Sequence, residues 1–97
     1  MDKEHLICKA ILEKRVLAFY YDGHYRTVEP HAYGTSKGGL YLLGYQLTGK
    51  SRSGQSLGWR QFKVDHIAYM QILTDGFTSS FLGSEPKNWE RYIALVE

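Results

Sequence analysis

The sequence predicts a mainly β fold, a small antiparallel barrel with one helix at each end. Three observations support this prediction. Several short stretches are rich in β-branched and aromatic residues, and turn sequences containing glycine separate them. The first and last segments instead carry apolar residues at helical spacing. With 97 residues, the chain has the length of a single domain, 1–97, with one small core.

Helices are predicted at both termini. Asp2 is a suitable N-cap for the first helix, whose apolar stripe comprises Ile7, Ala10 and Ile11. The second helix is predicted over about 85–96, starting near Ser84-Glu85-Pro86. Its apolar stripe would comprise Trp89, Tyr92, Ile93 and Val96. Because a barrel this small covers only part of such a stripe, we also expect this segment to contribute to a homodimer.

Five strands are predicted between the helices. The first two, 16–21 and 25–31, flank the hairpin turn Asp22-Gly23, and Pro30 closes the second. After the turn at 37–39, residues 40–48 alternate, with Tyr41, Leu43, Tyr45 and Leu47 on one face and Leu42, Gly44 and Gln46 on the other. A basic, Gly- and Ser-rich loop follows at 49–58. The last strands are predicted at 59–64 and 67–73.

Positive charge is concentrated in one part of the chain. No acidic residue lies between Glu29 and Asp65, whereas 12 basic and 10 acidic residues nearly balance over the whole sequence. The acid-free stretch contains Lys37, Lys50, Arg52, Arg60 and Lys63, interleaved with Tyr33, Tyr41, Tyr45, Trp59 and Phe62. Cations beside aromatic rings suit single-stranded nucleic acid, whose phosphates need positive charge and whose bases need flat apolar partners.

Other classes of function find little support in the sequence. Gly44-x4-Gly49-Lys50-Ser51 fits the phosphate-loop pattern, but a Ser- and Gly-rich segment follows it where a helix would be required. The four histidines lie in four separate segments without metal-site spacing. We therefore expect no enzyme activity, no metal and no cofactor. Cys8 is the only cysteine, which fits a reducing cytoplasm, and no apolar run has membrane-spanning length.

Three segments together resemble the WYL domain family. They are Arg26-Thr27-Val28-Glu29-Pro30, Gly39-Leu40-Tyr41-Leu42-Leu43-Gly44-Tyr45 and Arg60-Gln61-Phe62-Lys63-Val64-Asp65-His66-Ile67, and the resemblance covers about residues 7–75. The sequence departs from the family pattern at three positions: Leu40 replaces the eponymous Trp, and Lys63 and His66 replace arginines. The resemblance implies an Sm-like, SH3-like small β-barrel. It also implies a ligand-sensing role in bacterial transcription or defence regulation, with single-stranded DNA, RNA or a nucleotide-like anion as the ligand. Because no helix-turn-helix precedes the domain within this sequence, we expect a stand-alone sensor that acts through a partner protein or self-association.

The resemblance and the basic stretch together give the candidate ligand-binding residues. These are Arg26, Tyr45, Lys50, Arg52, Trp59, Arg60, Lys63 and His66. Strand alternation places Arg60 with Phe62 and Val64, on the face opposite Lys63. Arg60 and Lys63 can therefore serve one site only if Arg60 lies at a barrel rim or the strand contains a bulge.

Each candidate also has a structural alternative. Arg26 could pair with Glu29, and Tyr45 could belong to the core. Trp59 could either stack on bases or pack, and His66 could fill a turn. The alternative for the whole chain is a protein-interaction module whose basic patch serves only solubility.

Overall fold

The computed structural model describes residues 2–48, 58–78 and 88–97. Within these ranges the chain forms one helix, α1 (Lys3–Glu13), one 3-10 helix (Val64–His66) and six strands. The strands are β1 (Arg15–Tyr21), β2 (His24–Ser36), β3 (Gly39–Thr48), β4 (Gly58–Lys63), β5 (Ala68–Gly76) and β6 (Arg91–Leu95).

The predicted N-terminal helix is confirmed. The Asp2 side chain accepts a hydrogen bond of 2.8 Å from the backbone N–H of His5, which satisfies one of the donors left open at the start of α1. Lys14 ends the helix in the left-handed conformation, with φ 55°. The predicted stripe is buried and packs on the sheet: Ile7, Ala10 and Ile11.

Two tight turns fix the register of the first three strands. Asp22 and Gly23 have φ 53° and 77°, and Lys37 and Gly38 have φ 53° and 78°. Two successive positive φ values define the type I′ turn, whose twist matches that of the strands it joins. The two hairpins close with Tyr21 opposite His24 and Ser36 opposite Gly39.

All strands pair antiparallel, in the order β4-β3-β2-β1-β5, and β6 pairs with β2. β2 is longer than predicted and runs past Pro30 to Ser36. The ladder to β3 shifts register between Pro30 and Ala32, and such an irregularity accommodates a residue that has no N–H to donate. Before this shift β1 occupies one edge of β2, and after it β6 occupies that edge, opposite residues 32–35.

The sheet is not closed into the expected barrel. β4 and β5 end the path of paired strands, and the 3-10 helix joins them along the chain. In the described ranges β5 is paired with β1 alone and β4 with β3 alone, so no ladder closes the sheet.

The C-terminal helix predicted over about 85–96 is wrong where the structure describes it, because residues 91–95 form strand β6. Residues 85–87 lie outside the described residues. The physical reason is long-range pairing, since the edge of β2 beyond Pro30 offers backbone groups that β6 satisfies. Gly34 permits the close approach, because a Cβ there would collide with the carbonyl oxygen of Arg91.

Apolar residues form two clusters on opposite faces of the sheet. The main core lies between α1 and the inner face and includes Phe19, Val28, Leu42 and Phe62. A smaller outer cluster comprises Ala32, Leu43 and Trp89, with Tyr41 and Trp59 packed against it. In the described part of the chain, no helix is long and apolar enough to cross a membrane.

Candidate functional site

Arg26 lies on the inner face of β2, although it is a charged residue. It is directly opposite Phe19 of β1 and is only 3% exposed. The guanidinium Nη1 donates to Gln46 Oε1 at 3.2 Å, and Nη2 donates to the backbone carbonyl oxygen of Tyr21 at 3.0 Å. Its Cζ atom lies 5.2 Å from the ring centroid of Tyr21 and 5.8 Å from that of Phe62. Neutral dipoles and two aromatic rings therefore surround this cation.

Within the described ranges, the charge of Arg26 has no carboxylate at ion-pair distance. Among the described residues the ion pair is Arg15 with Glu13, 3.4 Å apart, and Arg26 takes no part in it. The predicted alternative, pairing with Glu29, is wrong, because strand alternation places Glu29 on the other face of β2. The Nε–H of Arg26 is buried and has no hydrogen-bond partner there. A buried cation with an open donor is an unusual arrangement that favours an external anion.

Burial lowers the pKa of the Arg26 guanidinium, because desolvation penalises its charged form. Asp22 raises this pKa, Arg60 lowers it, and Tyr21 raises it. The lowering by Arg60 is consistent with its position on the same face of the sheet. Arg60 is half-buried on β4, opposite Gly44 of β3, and shares the inward face with Phe62. The structure therefore places two of the predicted site residues, Arg26 and Arg60, on the same inward face of the sheet.

Tyr21 connects this pair of arginines to the turn after β4. Its ring packs edge-on against Phe62 at 5.1 Å, and its hydroxyl accepts a hydrogen bond of 3.0 Å from the backbone N–H of Lys63. The ring of His66, in the 3-10 helix, lies 6.3 Å from the Tyr21 ring. His66 is exposed and therefore lies at the outer edge of the same region. We name Arg26, Arg60, Tyr21, Gln46 and His66 the arginine site.

The remaining predicted residues lie elsewhere. Tyr45 and Trp59 contact each other on the opposite face, with ring centroids 5.5 Å apart, and both are half-buried. Lys63 is exposed and, by strand alternation, lies on that same opposite face. Lys50 and Arg52 fall outside the described residues.

Beside Trp59 lies a buried histidine that the sequence did not single out. His31 is 2% exposed, its Nδ1 lies 2.8 Å from the carbonyl oxygen of Glu29, and its ring contacts Trp59 and Phe77 at 4.7 and 5.1 Å. Burial lowers the pKa of His31, and the backbone hydrogen bond raises it in part. Because aromatic rings surround it, His31 has a packing role. The same contact explains why Trp59 packs against the sheet.

Sequence reasoning missed two residues of the arginine site, Tyr21 and Gln46. Gln46 is fully buried, and the alternation of β3 correctly predicts it on the face of Leu42 and Gly44. A polar residue on the inner face of a strand needs a hydrogen-bond partner. This requirement is the feature of the sequence that could have identified Gln46 as a site residue. In the described ranges, no group of three or more metal-ligating side chains is present.

The WYL domain model matches residues 5–72 of this chain. No curated protein and no solved structure matches the sequence significantly. The matched range contains every residue of the arginine site, from Tyr21 to His66.

Proposed function

Because the chain belongs to the WYL domain family, whose members are regulatory, ligand-sensing domains, we propose that it binds a nucleic-acid-derived anion at the arginine site. The ligand is single-stranded DNA or RNA, or a nucleotide-like molecule with the same phosphate chemistry. The chain is then a sensor in bacterial transcription or defence regulation, without enzyme activity of its own.

The observation that carries this proposal is the buried charge of Arg26, which has no carboxylate at ion-pair distance among the described residues. Removing a guanidinium from water costs free energy that a carboxylate normally offsets, and in the described residues Arg26 has only Gln46 and the Tyr21 carbonyl as hydrogen-bond partners. A phosphate oxygen would accept from an arginine in a charge-assisted hydrogen bond, the stronger kind. The free domain therefore holds a cation whose natural counterion would be the ligand.

Arg60 indicates that the ligand carries more than a single point of negative charge. Two guanidiniums on one face of the sheet repel each other, and Arg60 accordingly lowers the pKa of Arg26. An anion between them would remove this repulsion and also pair with both charges. A phosphate group, with several acceptor oxygens and a charge between −1 and about −2, fits that requirement.

A second candidate function is protein interaction or self-association through β6. Leu95 is 47% exposed and Ile93 is 38% exposed on this strand, and Leu12 of α1 is 77% exposed beside it. Leu12 and Leu95 line a groove between α1 and β6. Association by apolar contact would not weaken as salt rises, whereas phosphate binding would.

The two candidates are separated by a salt titration of oligonucleotide binding, measured by fluorescence anisotropy. We expect Arg26→Met to lower the affinity for a short single-stranded oligonucleotide by about tenfold or more, because a charge-assisted contact is lost. The slope of log K against log salt should fall by about 0.7, the value of one phosphate contact on a single strand.

Arg91→Met is the matched control, since it removes the same charge from an exposed position on β6. We expect it to leave both affinity and slope close to those of the wild type. Arg26→Lys keeps the charge but loses the planar fork, and we expect an intermediate affinity. Equal effects of Arg26→Met and Arg91→Met would show that binding follows net charge and would overturn the proposed site.

A further inference from the structure

Three exposed tyrosines form a cluster on the outer surface, on the side of the first hairpin that faces away from Arg26. They are Tyr20 of β1, Tyr25 of β2 and Tyr69 of β5, which we name the tyrosine triad. Their exposed fractions are 43%, 44% and 86%. The rings of Tyr20 and Tyr25 are 5.3 Å apart, and those of Tyr20 and Tyr69 are 6.1 Å apart, both edge-to-face. Tyr20 is thus the centre of a continuous aromatic surface.

The backbone at Tyr69 adopts a strained conformation at an irregularity of the β1–β5 ladder. Tyr69 has φ 55°, a left-handed conformation that glycine adopts freely and tyrosine rarely. It lies where the β1–β5 ladder shifts register, between the pairs Ala18–Gln71 and Tyr20–Ala68. Such bulges redirect a side chain, and here the ring is brought beside Tyr20 but stays almost fully exposed. Strained backbone of this kind occurs often at functional positions, and here it presents an exposed ring.

The charges around the triad indicate what binds there. The neighbouring positions on the outward face of β1 and its partners are uncharged: Ala18, Thr27 and Gln71. A cation lies behind the same hairpin on the inner face, because Tyr21, the next residue after Tyr20, contacts Arg26. Neutral rings next to cations are complementary to a single strand, whose bases are neutral and flat and whose phosphates are anionic.

We propose that the tyrosine triad is a base-stacking platform for the same single-stranded nucleic acid whose phosphate binds at the arginine site. The inference rests on the proposed function and extends it from the phosphate to the bases. The strand crosses the tip of the β1–β2 hairpin, so a phosphate lies on the Arg26 side and the next bases lie against Tyr20, Tyr25 and Tyr69. Stacking on tyrosine is tolerant of sequence, so the site distinguishes single-stranded from double-stranded nucleic acid and has little base specificity.

The test compares two substitutions at Tyr69 by fluorescence anisotropy with an oligothymidine of about eight nucleotides, a length within the range of single-strand sites. Tyr69→Gly removes the ring and also relieves the backbone strain, so this variant folds at least as stably as the wild type. We expect it to bind about tenfold more weakly, the loss of one base–aromatic contact. Tyr69→Phe keeps the ring and should retain wild-type affinity.

An oligonucleotide of the same length with abasic sites separates stacking from charge. It has the same phosphates but no bases, so wild type and Tyr69→Gly should bind it equally. Arg26→Met should still weaken its binding, because the phosphate contact is unchanged. This pattern, a Tyr69 effect that requires bases and an Arg26 effect that does not, is the result that supports the platform.

Three results would overturn the inference. Equal affinity of Tyr69→Gly and wild type for the oligothymidine, with Arg26→Met still weaker, removes the platform and leaves the proposed function standing. Absence of oligonucleotide binding by the wild type removes both. Concentration-dependent dimerisation that Tyr69→Gly abolishes in sedimentation, with unchanged oligonucleotide binding, would instead assign the triad to contact with a second copy.

Discussion

Arg26 and Tyr21 contact each other in two ways. The guanidinium Cζ lies 5.2 Å from the centroid of the Tyr21 ring, and Nη2 donates to the Tyr21 carbonyl oxygen at 3.0 Å. The backbone and the ring of one residue therefore hold the same cation, across the turn that joins β1 to β2. This double contact fixes the position of the Arg26 guanidinium without neutralising its charge. The inner face of the domain therefore contains a positive charge.

Arg26→Met should not destabilise the domain as a substitution of a buried residue normally does. An apolar side chain of similar length replaces a charge whose burial is costly, and such exchanges are often neutral or stabilising by about 1–4 kcal/mol. The lost partner of Gln46 offsets part of this gain, at about 1 kcal/mol. We expect a free energy of unfolding within about 1 kcal/mol of the wild type or above it, measured by urea denaturation. A loss above about 3 kcal/mol would mean that the charge itself stabilises the fold.

Asp22→Asn should strengthen oligonucleotide binding. Asp22 interacts favourably with the charge of Arg26 and therefore competes with an incoming phosphate. Asparagine is well suited to the left-handed conformation that Asp22 adopts in the turn, with φ 53°, so the hairpin is retained. We expect an increase in affinity of about twofold at low salt that fades as salt rises. Asp75→Asn, at an exposed position in β5, is the control, and an equal gain there would indicate a general charge effect.

His31 should make stability depend on pH. Burial lowers its pKa in the folded state, so below the ordinary value near 6.5 the unfolded chain binds a proton more readily than the folded one. The free energy of unfolding should then fall as pH decreases through about 6.5 and continue to fall until the lower, folded-state pKa is passed. A His31→Gln variant should lose less stability than the wild type over that window, in urea denaturation at several pH values. If His24→Gln flattened the profile as much, His31 would not be the responsible group.

Gly34→Ala should weaken the pairing of β2 with β6. A Cβ at this position would collide with the carbonyl oxygen of Arg91 and would lie 3.0 Å from the Trp89 ring, so the strands must separate. We expect a loss of about 2 kcal/mol or more in the free energy of unfolding, together with a red shift of tryptophan fluorescence as Trp89 becomes exposed. Gly39→Ala, where an added Cβ has only ordinary contacts, should change neither by a comparable amount.

The parts of the fold that follow from local chemistry were predictable from the sequence. The helix from Asp2, the turns at 22–23 and 37–38 and the alternation of 40–48 depend on residues close together in the chain, and the structure confirms them. The C-terminal segment depends on pairing with β2, about 60 residues earlier, and its aromatic and β-branched residues satisfy a strand as well as a helix.

In the candidate site, too, the features set by local sequence were predictable and those set by long-range contacts were not. Alternation along β4 correctly indicated that Arg60 and Lys63 face opposite sides of the sheet. The contact of Arg26 with Gln46 joins residues 20 positions apart on different strands, and nothing in the spacing of the sequence indicates it. Proximity to cations in the sequence makes Tyr45 and Trp59 stacking candidates. In the structure Trp59 packs against His31, while the exposed rings lie at positions 20, 25 and 69.

The pairing of β6 with the edge of β2 has a practical consequence for domain boundaries. The family match ends at residue 72, but Ala32–Thr35 of β2 are paired with Arg91–Leu95, and the Val96 N–H donates to the His31 carbonyl oxygen at 2.8 Å. A fragment trimmed to the matched range would expose this row of backbone donors and acceptors to other chains, which is a known route to aggregation. The unit that folds is therefore larger than the unit that sequence families recognise. Expression of this domain should include the last ten residues.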